Sequence, residues 1–126
     1  MNDLRFVLTW RDYFEAERYL LQQQNVLSVP FIRQLKLKRR WEREPLLRGE
    51  HLVNFSAEGV HYLLDDIESN LDWNYYQHWA ESPNGFLLIS AEDVFNLIPK
   101  RAFTNETKQS EFRTFLTAKL PQLSTL

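Results

Sequence analysis

Residues 50–99 read EHLVNFSAEGVHYLLDDIESNLDWNYYQHWAESPNGFLLISAEDVFNLIP, and this stretch decides the fold. Apolar and polar residues alternate through most of it, and turn-forming residues recur at intervals of about ten, which is typical of a meander of antiparallel strands. The pattern predicts strands at His51–Phe55, Val60–Leu64, Leu71–Trp79, Phe86–Ile89 and Val94–Ile98.

Turn signals separate these strands. Residues 56–59 (SAEG) predict a hairpin in which Gly59 takes a positive φ. Residues 83–85 (PNG) are the strongest signal, because Asn-Gly fits a type I′ turn. Pro99 ends strand pairing, since it has no N–H to donate. A further connection is assigned to the acidic residues Asp65, Asp66 and Glu68.

Helical patterns flank the meander. Residues 4–8 alternate like a short strand, and Thr9 with Asp12 three residues later predicts a helix N-terminus immediately after it. This helix carries apolar residues at helical spacing and is expected to end within residues 22–25. A second helix is predicted over Thr107–Leu120, with its core-facing side at Phe112, Phe115 and Leu116.

The predicted fold class is α+β, a meander of about five to six strands with the C-terminal helix packed on it, preceded by a strand and a helix. This outline is that of a pleckstrin-homology-like half-open barrel, and a plain helix-covered sheet would give the same sequence pattern. With 126 residues and 14% aromatic residues, one domain with a ring-rich core is expected. Its parts are residues 1–24, a connector at 25–48, and the sheet with its helix at 49–120.

Composition excludes some chemistry. The chain has no cysteine, so disulfides, thiolate zinc sites and cysteine nucleophiles are absent. Three scattered glycines cannot form a phosphate-binding loop, and no nucleophile-elbow or metal-binding motif occurs. No cofactor, metal or catalytic residue is therefore predicted. One enzyme alternative remains, a His/carboxylate site drawn from His51, His61, His78 and the acidic connection, although single strand histidines are usually surface residues.

The connector is the most unusual segment in charge. Between residues 33 and 48 seven cations and two acids give a net charge of +5, which leaves −7 for the rest of a chain whose total is −2. No clean period occurs here, so no core element is predicted. A solvated positive linker is one interpretation. The other is contact with anionic lipid head groups, with the ring of Trp41 at the interface. The predicted lipid-binding residues are Arg33, Lys36, Lys38, Arg39, Arg40, Trp41 and Arg43.

Two smaller features invite a binding hypothesis. Lys100 and Arg101 follow Pro99 and form a candidate secondary anion site, although two cations facing water are the more common outcome. Trp73, Tyr75 and Trp79 recur like a stacking platform for bases or sugars, but such rows are more often core. The net charge of −7 outside the connector would repel a phosphate backbone, so no nucleic-acid partner is expected.

Several stretches resemble the YcxB-like family of small bacterial proteins. They include residues 51–60 (HLVNFSAEGV), 73–76 (WNYY), 86–89 (FLLI), Phe112 and residues 115–116 (FL), and residues 98–103 (IPKRAF) weigh most. The N-terminal residues 6–9 (FVLT) with Asp12 also fit. The resemblance implies a bacterial protein of unassigned activity, whose cytosolic domain is similar to bacterial pleckstrin-homology-like domains and is normally attached to a membrane.

One departure concerns that attachment. Family members usually carry two apolar spans between the N-terminal helix and the sheet, whereas this interval holds only residues 22–48. Either the protein is a naturally soluble relative, or the hairpin has been removed from this chain near Leu35–Lys38. The basic flank Lys36–Arg43 favours removal, since such charge borders the cytoplasmic end of membrane helices. The expected location is the cytoplasmic side of the bacterial inner membrane, or otherwise the cytoplasm.

The leading functional hypothesis is therefore a non-catalytic, membrane-associated domain that binds an anionic lipid surface or a protein partner. Exposed Trp73 and Trp79 would instead favour a cytosolic ligand or nucleic-acid binder that uses the aromatic row. A pocket in which histidines and carboxylates converge would favour a small enzyme.

Overall fold

The structure is a computed structural model that describes residues 3–23, 38–43, 49–64, 66–90 and 95–123. Alternation and helical spacing in the sequence give the following elements within these ranges: β1 (Leu4–Val7), α1 (Trp10–Gln23), β2 (Glu50–Phe55), β3 (Gly59–Leu64), β4 (Ile67–Asp72), β5 (Tyr76–Ser82), β6 (Gly85–Ser90), β7 (Phe95–Pro99) and α2 (Glu106–Lys119). Residues 38–43 are also helical.

The strands form two antiparallel sheets. One has the order β1-β2-β3-β4 and the other has the order β5-β6-β7. The N-terminal strand joins the first sheet by pairing with β2, in a register that sets Phe6 opposite His51. The predicted α+β class with a C-terminal helix is confirmed, and the division into two sheets is what the sequence pattern did not indicate.

The predicted strand Leu71–Trp79 is wrong in its middle. Trp73–Tyr75 form a turn of 3-10 helix, and Asp72 begins it by accepting a hydrogen bond from the backbone N–H of Asn74 (2.9 Å). The chain passes from one sheet to the other at this turn, because β4 ends before it and β5 begins after it. Glu68, predicted to lie in a connection, belongs to β4 and pairs in register with Leu63.

At Gly59 and Gly85 neighbouring atoms lie too close to leave room for a Cβ, and this, rather than a positive φ, explains the two glycines. Neither Gly59 nor Gly85 has a φ in the left-handed region, so the predicted positive φ at Gly59 is wrong. A Cβ on Gly59 would collide with the carbonyl oxygen of Leu71 on the neighbouring strand. Gly85 is the first residue of β6 and pairs with Ser82, so the two-residue loop is Pro83 and Asn84 instead of the predicted Asn-Gly turn.

The start of α1 confirms the predicted capping pair. Asp12 Oδ2 accepts from the backbone N–H of Thr9 at 2.7 Å, and Thr9 Oγ1 accepts from the backbone N–H of Asp12 at 3.3 Å. Each side chain thus satisfies a backbone donor that the helix leaves unpaired. The apolar residues that α1 buries are Tyr13, Ala16 and Leu20.

The C-terminal helix closes the core. Asn105 caps it by accepting from the backbone N–H of Lys108, and Phe112 and Leu116 are fully buried. The ring of Phe112 lies 4.8 Å from Phe55 of β2 and 5.1 Å from Phe86 of β6, so one side chain of α2 contacts both sheets. Phe115 is half-buried against Phe55 and the ring of Trp73.

Residues beyond α2 extend the second sheet. The backbone N–H of Trp79 donates to the carbonyl of Pro121 (3.1 Å), and the N–H of Leu123 donates to the carbonyl of Trp79 (2.8 Å). Gln122 therefore forms a parallel bridge with Trp79 along the outer side of β5.

Candidate functional site

The basic segment, defined here as the helical residues 38–43, carries the exposed cations of the connector. Lys38, Arg39, Arg40 and Arg43 are all exposed. Within the described part of the chain, no carboxylate lies at ion-pair distance from Lys38, Arg39 or Arg43. The other predicted lipid-binding cations, Arg33 and Lys36, lie outside the described residues.

Trp41 attaches the basic segment to the domain. Its half-buried ring packs on the core, with its centroid 5.4 Å from that of Tyr13 on α1. Tyr13 in turn contacts Phe95 of β7 at 5.9 Å. The sequence predicted no core element in this segment. That prediction is wrong at Trp41, because its ring packs on Tyr13 of α1. The prediction that Trp41 contacts lipid is a separate one.

Lys100 of the candidate anion site belongs to an ion-pair cluster around Glu81. Its Nζ lies 2.8 Å from Glu81 Oε2, and Arg113 of α2 holds the same carboxylate through Nε (2.6 Å) and Nη2 (2.9 Å). The hydrogen bond from Arg113, with a further contribution from Lys100, keeps the pKa of Glu81 below its ordinary value. This cluster joins α2, β5 and the turn after β7.

Arg101 is paired in the same way with Asp12. Its guanidinium contacts both carboxylate oxygens, at 2.9 and 2.7 Å, and also donates to the carbonyl of Val7 at 2.6 Å. Burial raises the pKa of Asp12, but the hydrogen bonds from Arg101 and from the Thr9 backbone outweigh it, so the net pKa is lowered. The pairing fixes the junction of β1 and α1 to the turn after β7.

A cleft of about 340 Å³ separates these two clusters, and its lining mixes both signs of charge: Arg11, Asp12, Glu15, Pro83, Asn84, Lys100 and Arg101. Each cation in it is matched by a carboxylate, since Arg11 also pairs with Glu15 at 3.0 Å. The anion site at Lys100 and Arg101 stays a prediction, but an added anion would compete there with carboxylates already in place. Residues 98–103, called the clamp below, are better explained as a structural segment: Lys100 shares Glu81 with Arg113 of α2, and Arg101 binds Asp12 at the start of α1.

The three histidines do not converge. His51 is 1% exposed, stacks on Phe6 at 5.1 Å, and its Nδ1 lies 2.5 Å from the hydroxyl of Tyr62. The interpretation of the histidines as surface residues is therefore wrong for His51. Burial raises the pKa of the Tyr62 hydroxyl, which stays protonated. His61 pairs at the surface with Glu68 (2.8 Å), and in the described residues no three potential ligands gather as a metal site.

The interpretation of the aromatic row as core holds for Trp73 and Trp79, and the stacking alternative is contradicted. Trp73 and Trp79 are 8% and 1% exposed, while Tyr75 is 46% exposed. Trp73 donates from Nε1 to the carbonyl of Ser56 at 2.9 Å and packs on Phe55. The ring of Trp73, in the 3-10 turn, and the ring of Trp79, in β5, are both buried, so bases could not stack on them.

The described residues thus define an α+β domain of two antiparallel sheets closed by a C-terminal helix, and a helical segment packed on α1 carries Lys38, Arg39 and Arg43, three exposed cations with no carboxylate beside them in the described residues. Residues 55–116 match the family model described as YcxB-like protein, and this part of the chain is YcxB-like, as the sequence predicted. The match begins at the end of β2 and ends within α2, so it includes the 98–103 clamp and excludes the basic segment. Comparisons with curated proteins and with solved structures gave no match. Among the described residues, no helix combines the length and apolar character needed to cross a bilayer.

Proposed function

We propose that this protein is a non-catalytic binding domain that docks on anionic lipid surfaces through its basic segment, with Arg33 and Lys36 adding to the same charge. The observation that carries the proposal is the contrast between two groups of cations. Lys100, Arg101 and Arg113 each pair with a carboxylate, whereas Lys38, Arg39 and Arg43 are exposed with no described carboxylate beside them. Charge that is not matched within the fold is available to an external anion.

Docking of the basic segment gives this charge a fixed place on the domain. Because the ring of Trp41 packs on Tyr13, membrane contact through Lys38 or Arg39 would orient the whole domain instead of tethering it through a loose linker. Each cation near an anionic surface contributes about 1 kcal/mol, so Lys38, Arg39 and Arg43 together supply about 3 kcal/mol. The net charge of −7 outside residues 33–48 would be repelled, which disfavours other orientations.

The architecture supports a binding role. A four-stranded and a three-stranded antiparallel sheet with a helix after the last strand is the outline of pleckstrin-homology-like domains, and this likeness is part of the proposal. Placement on the cytoplasmic face of a bacterial inner membrane follows from the proposal. The aromatic-row binder is disfavoured by the burial of Trp73 and Trp79.

The test compares two variants that lose the same number of cations. In one variant Lys38, Arg39 and Arg43 are changed to Gln; in the control Arg5, Arg11 and Lys108 are changed to Gln, all exposed cations that pair with Glu50, Glu15 and Glu111. Binding is measured by co-sedimentation with phosphatidylglycerol/phosphatidylcholine vesicles, and folding by circular dichroism. We expect the first variant to lose roughly 100-fold in partition and the control less than about fivefold. Equal losses in the two variants would overturn the proposal.

A further inference from the structure

The outer strands of the two sheets differ in whether other parts of the chain contact them. Arg101 donates to the Val7 carbonyl of β1, α1 contacts β7 through Tyr13 and Phe95, and the residues after α2 pair with β5 through Trp79. An outer strand exposes unpaired N–H and C=O groups, and such contacts are a common way of covering them. β5 is thus hydrogen-bonded on its outer side, β1 is contacted at the Val7 carbonyl, and β7 is packed against α1.

β4 is the outer strand that the described residues leave uncovered. It pairs with β3 through six consecutive residues without a bulge, and nothing in the described chain is hydrogen-bonded along its other side. Every second residue of an antiparallel strand directs its N–H and C=O away from its partner, and no main-chain group of the described residues pairs with these groups of β4. The strand contains neither proline nor lysine, the residues that usually block edge pairing.

The side chains of β4 define what could pair with it. Ile67 is 53% exposed, and Glu68 and Asp72 are exposed on the other face. No Lys or Arg occurs anywhere from Gly59 to Asp72. A second copy pairing edge to edge would bring carboxylates against carboxylates, which is unfavourable, whereas a basic strand would oppose them with cations. Apolar residues on alternate positions of such a strand would reach Ile67 and Leu71.

We infer that the outer edge of β4 binds a basic, extended segment of a partner protein by strand addition. The main-chain groups of β4 supply the hydrogen bonds, and its acidic side chains select the charge of the partner. This surface is separate from the basic segment and carries the opposite charge, so the inference does not depend on lipid binding.

The probe is a fluorescein-labelled seven-residue peptide in which lysine and valine alternate, compared with a peptide of equal charge in which proline replaces valine. Proline removes the N–H donor at every valine position and disfavours a paired strand, while charge attraction is retained. We expect the lysine/valine peptide to bind, to shift the amide resonances of residues 67–72 and to slow their hydrogen exchange. The proline peptide should not bind. Equal binding of the two peptides, or shifts elsewhere than β3 and β4, would overturn the inference.

A matched pair of charge reversals locates the site. Glu68→Lys reverses an exposed acid on β4 that pairs with His61, and Glu111→Lys reverses an equally exposed acid on α2 that pairs with Lys108. We expect Glu68→Lys to weaken binding of the lysine/valine peptide roughly tenfold and Glu111→Lys to change it less than about twofold. Equal effects, or no measurable binding by the unaltered protein, would also overturn the inference. Vesicle binding should change no more in Glu68→Lys than in Glu111→Lys, which separates this result from the fate of the lipid proposal.

Discussion

The guanidinium of Arg101 holds the carboxylate of Asp12 in a two-pronged ion pair, with Nη1–Oδ1 and Nη2–Oδ2 distances of 2.9 and 2.7 Å. The two residues are 89 positions apart in the chain. Asp12 also caps α1 through the backbone N–H of Thr9, so one carboxylate both starts the helix and anchors it to the turn after β7.

A double-mutant cycle should measure this coupling. Arg101→Gln and Asp12→Asn each remove one charge while leaving a polar side chain, and we expect each to lower the free energy of unfolding by about 1 kcal/mol, since Arg101 is half exposed. The double variant should lose less than the sum of the two. Strict additivity in urea denaturation would show that the pair is not coupled.

The same carboxylates predict how stability depends on pH. The pKa values of Asp12 and Glu81 are lowered in the folded state from ordinary values of 3.8 and 4.5. Their contribution is therefore fully present above those ordinary values and is lost as the pH falls through the lower folded values. Urea denaturation between about pH 5 and pH 2 should show a steeper fall in unfolding free energy for the unaltered protein than for Asp12→Asn/Glu81→Gln. Parallel curves would contradict the assignment.

Two phenylalanines of α2 should differ in their effect on stability. Phe112 is fully buried between the sheets, and Phe112→Ala should cost about 3–5 kcal/mol. Phe115 is half-buried, so Phe115→Ala should cost less, about 1–2 kcal/mol. Thermal and urea unfolding of the two variants provide the measurement. A larger loss for Phe115→Ala would mean that the buried face of α2 is misassigned.

Alanine substitutions at Gly59 and Gly85 should also differ in their effect on the free energy of unfolding. Gly59→Ala forces a Cβ against a backbone carbonyl, that of Leu71, and should cost more than about 2 kcal/mol. Gly85→Ala meets the Leu97 Cδ1 methyl at 2.8 Å and the Ile98 carbonyl oxygen at 3.0 Å, contacts that are less close than the one at Gly59, and should be milder. The same unfolding measurements decide the order, and a milder Gly59→Ala would contradict the close approach.

Sequence reasoning succeeded where a local pattern carries the information. Thr9 and Asp12 form a capping pair within one helical turn, and the alternation around Phe55 and Phe86 marks strands whatever their partners are. The sequence pattern did not indicate the break at Trp73–Tyr75. The buried rings Trp73, Tyr76 and Trp79 are spaced three residues apart, whereas the alternation of a strand has a period of two. The signal that could have found it is Asp72 two residues before Asn74, which is a local capping pattern.

Other features depend on long-range pairing that a single sequence does not reveal. The burial of His51 follows from the register that stacks it on Phe6 of β1. The neutralisation of Lys100 and Arg101 requires Glu81 and Asp12, which lie on other elements. Trp41 occurs in a segment without hydrophobic periodicity, so its contact with Tyr13 had no sequence signal at all.

The most direct test of lipid docking is the salt dependence of vesicle binding by the unaltered protein. On phosphatidylglycerol-containing vesicles, partition should be measurable at about 0.15 M salt and nearly abolished at about 0.5 M, because exposed charges are screened over about 8 Å at the lower concentration and over less at the higher. On pure phosphatidylcholine vesicles we expect no binding at either concentration. Binding that is equal on both vesicle types, or unchanged by salt, would contradict docking through the basic segment.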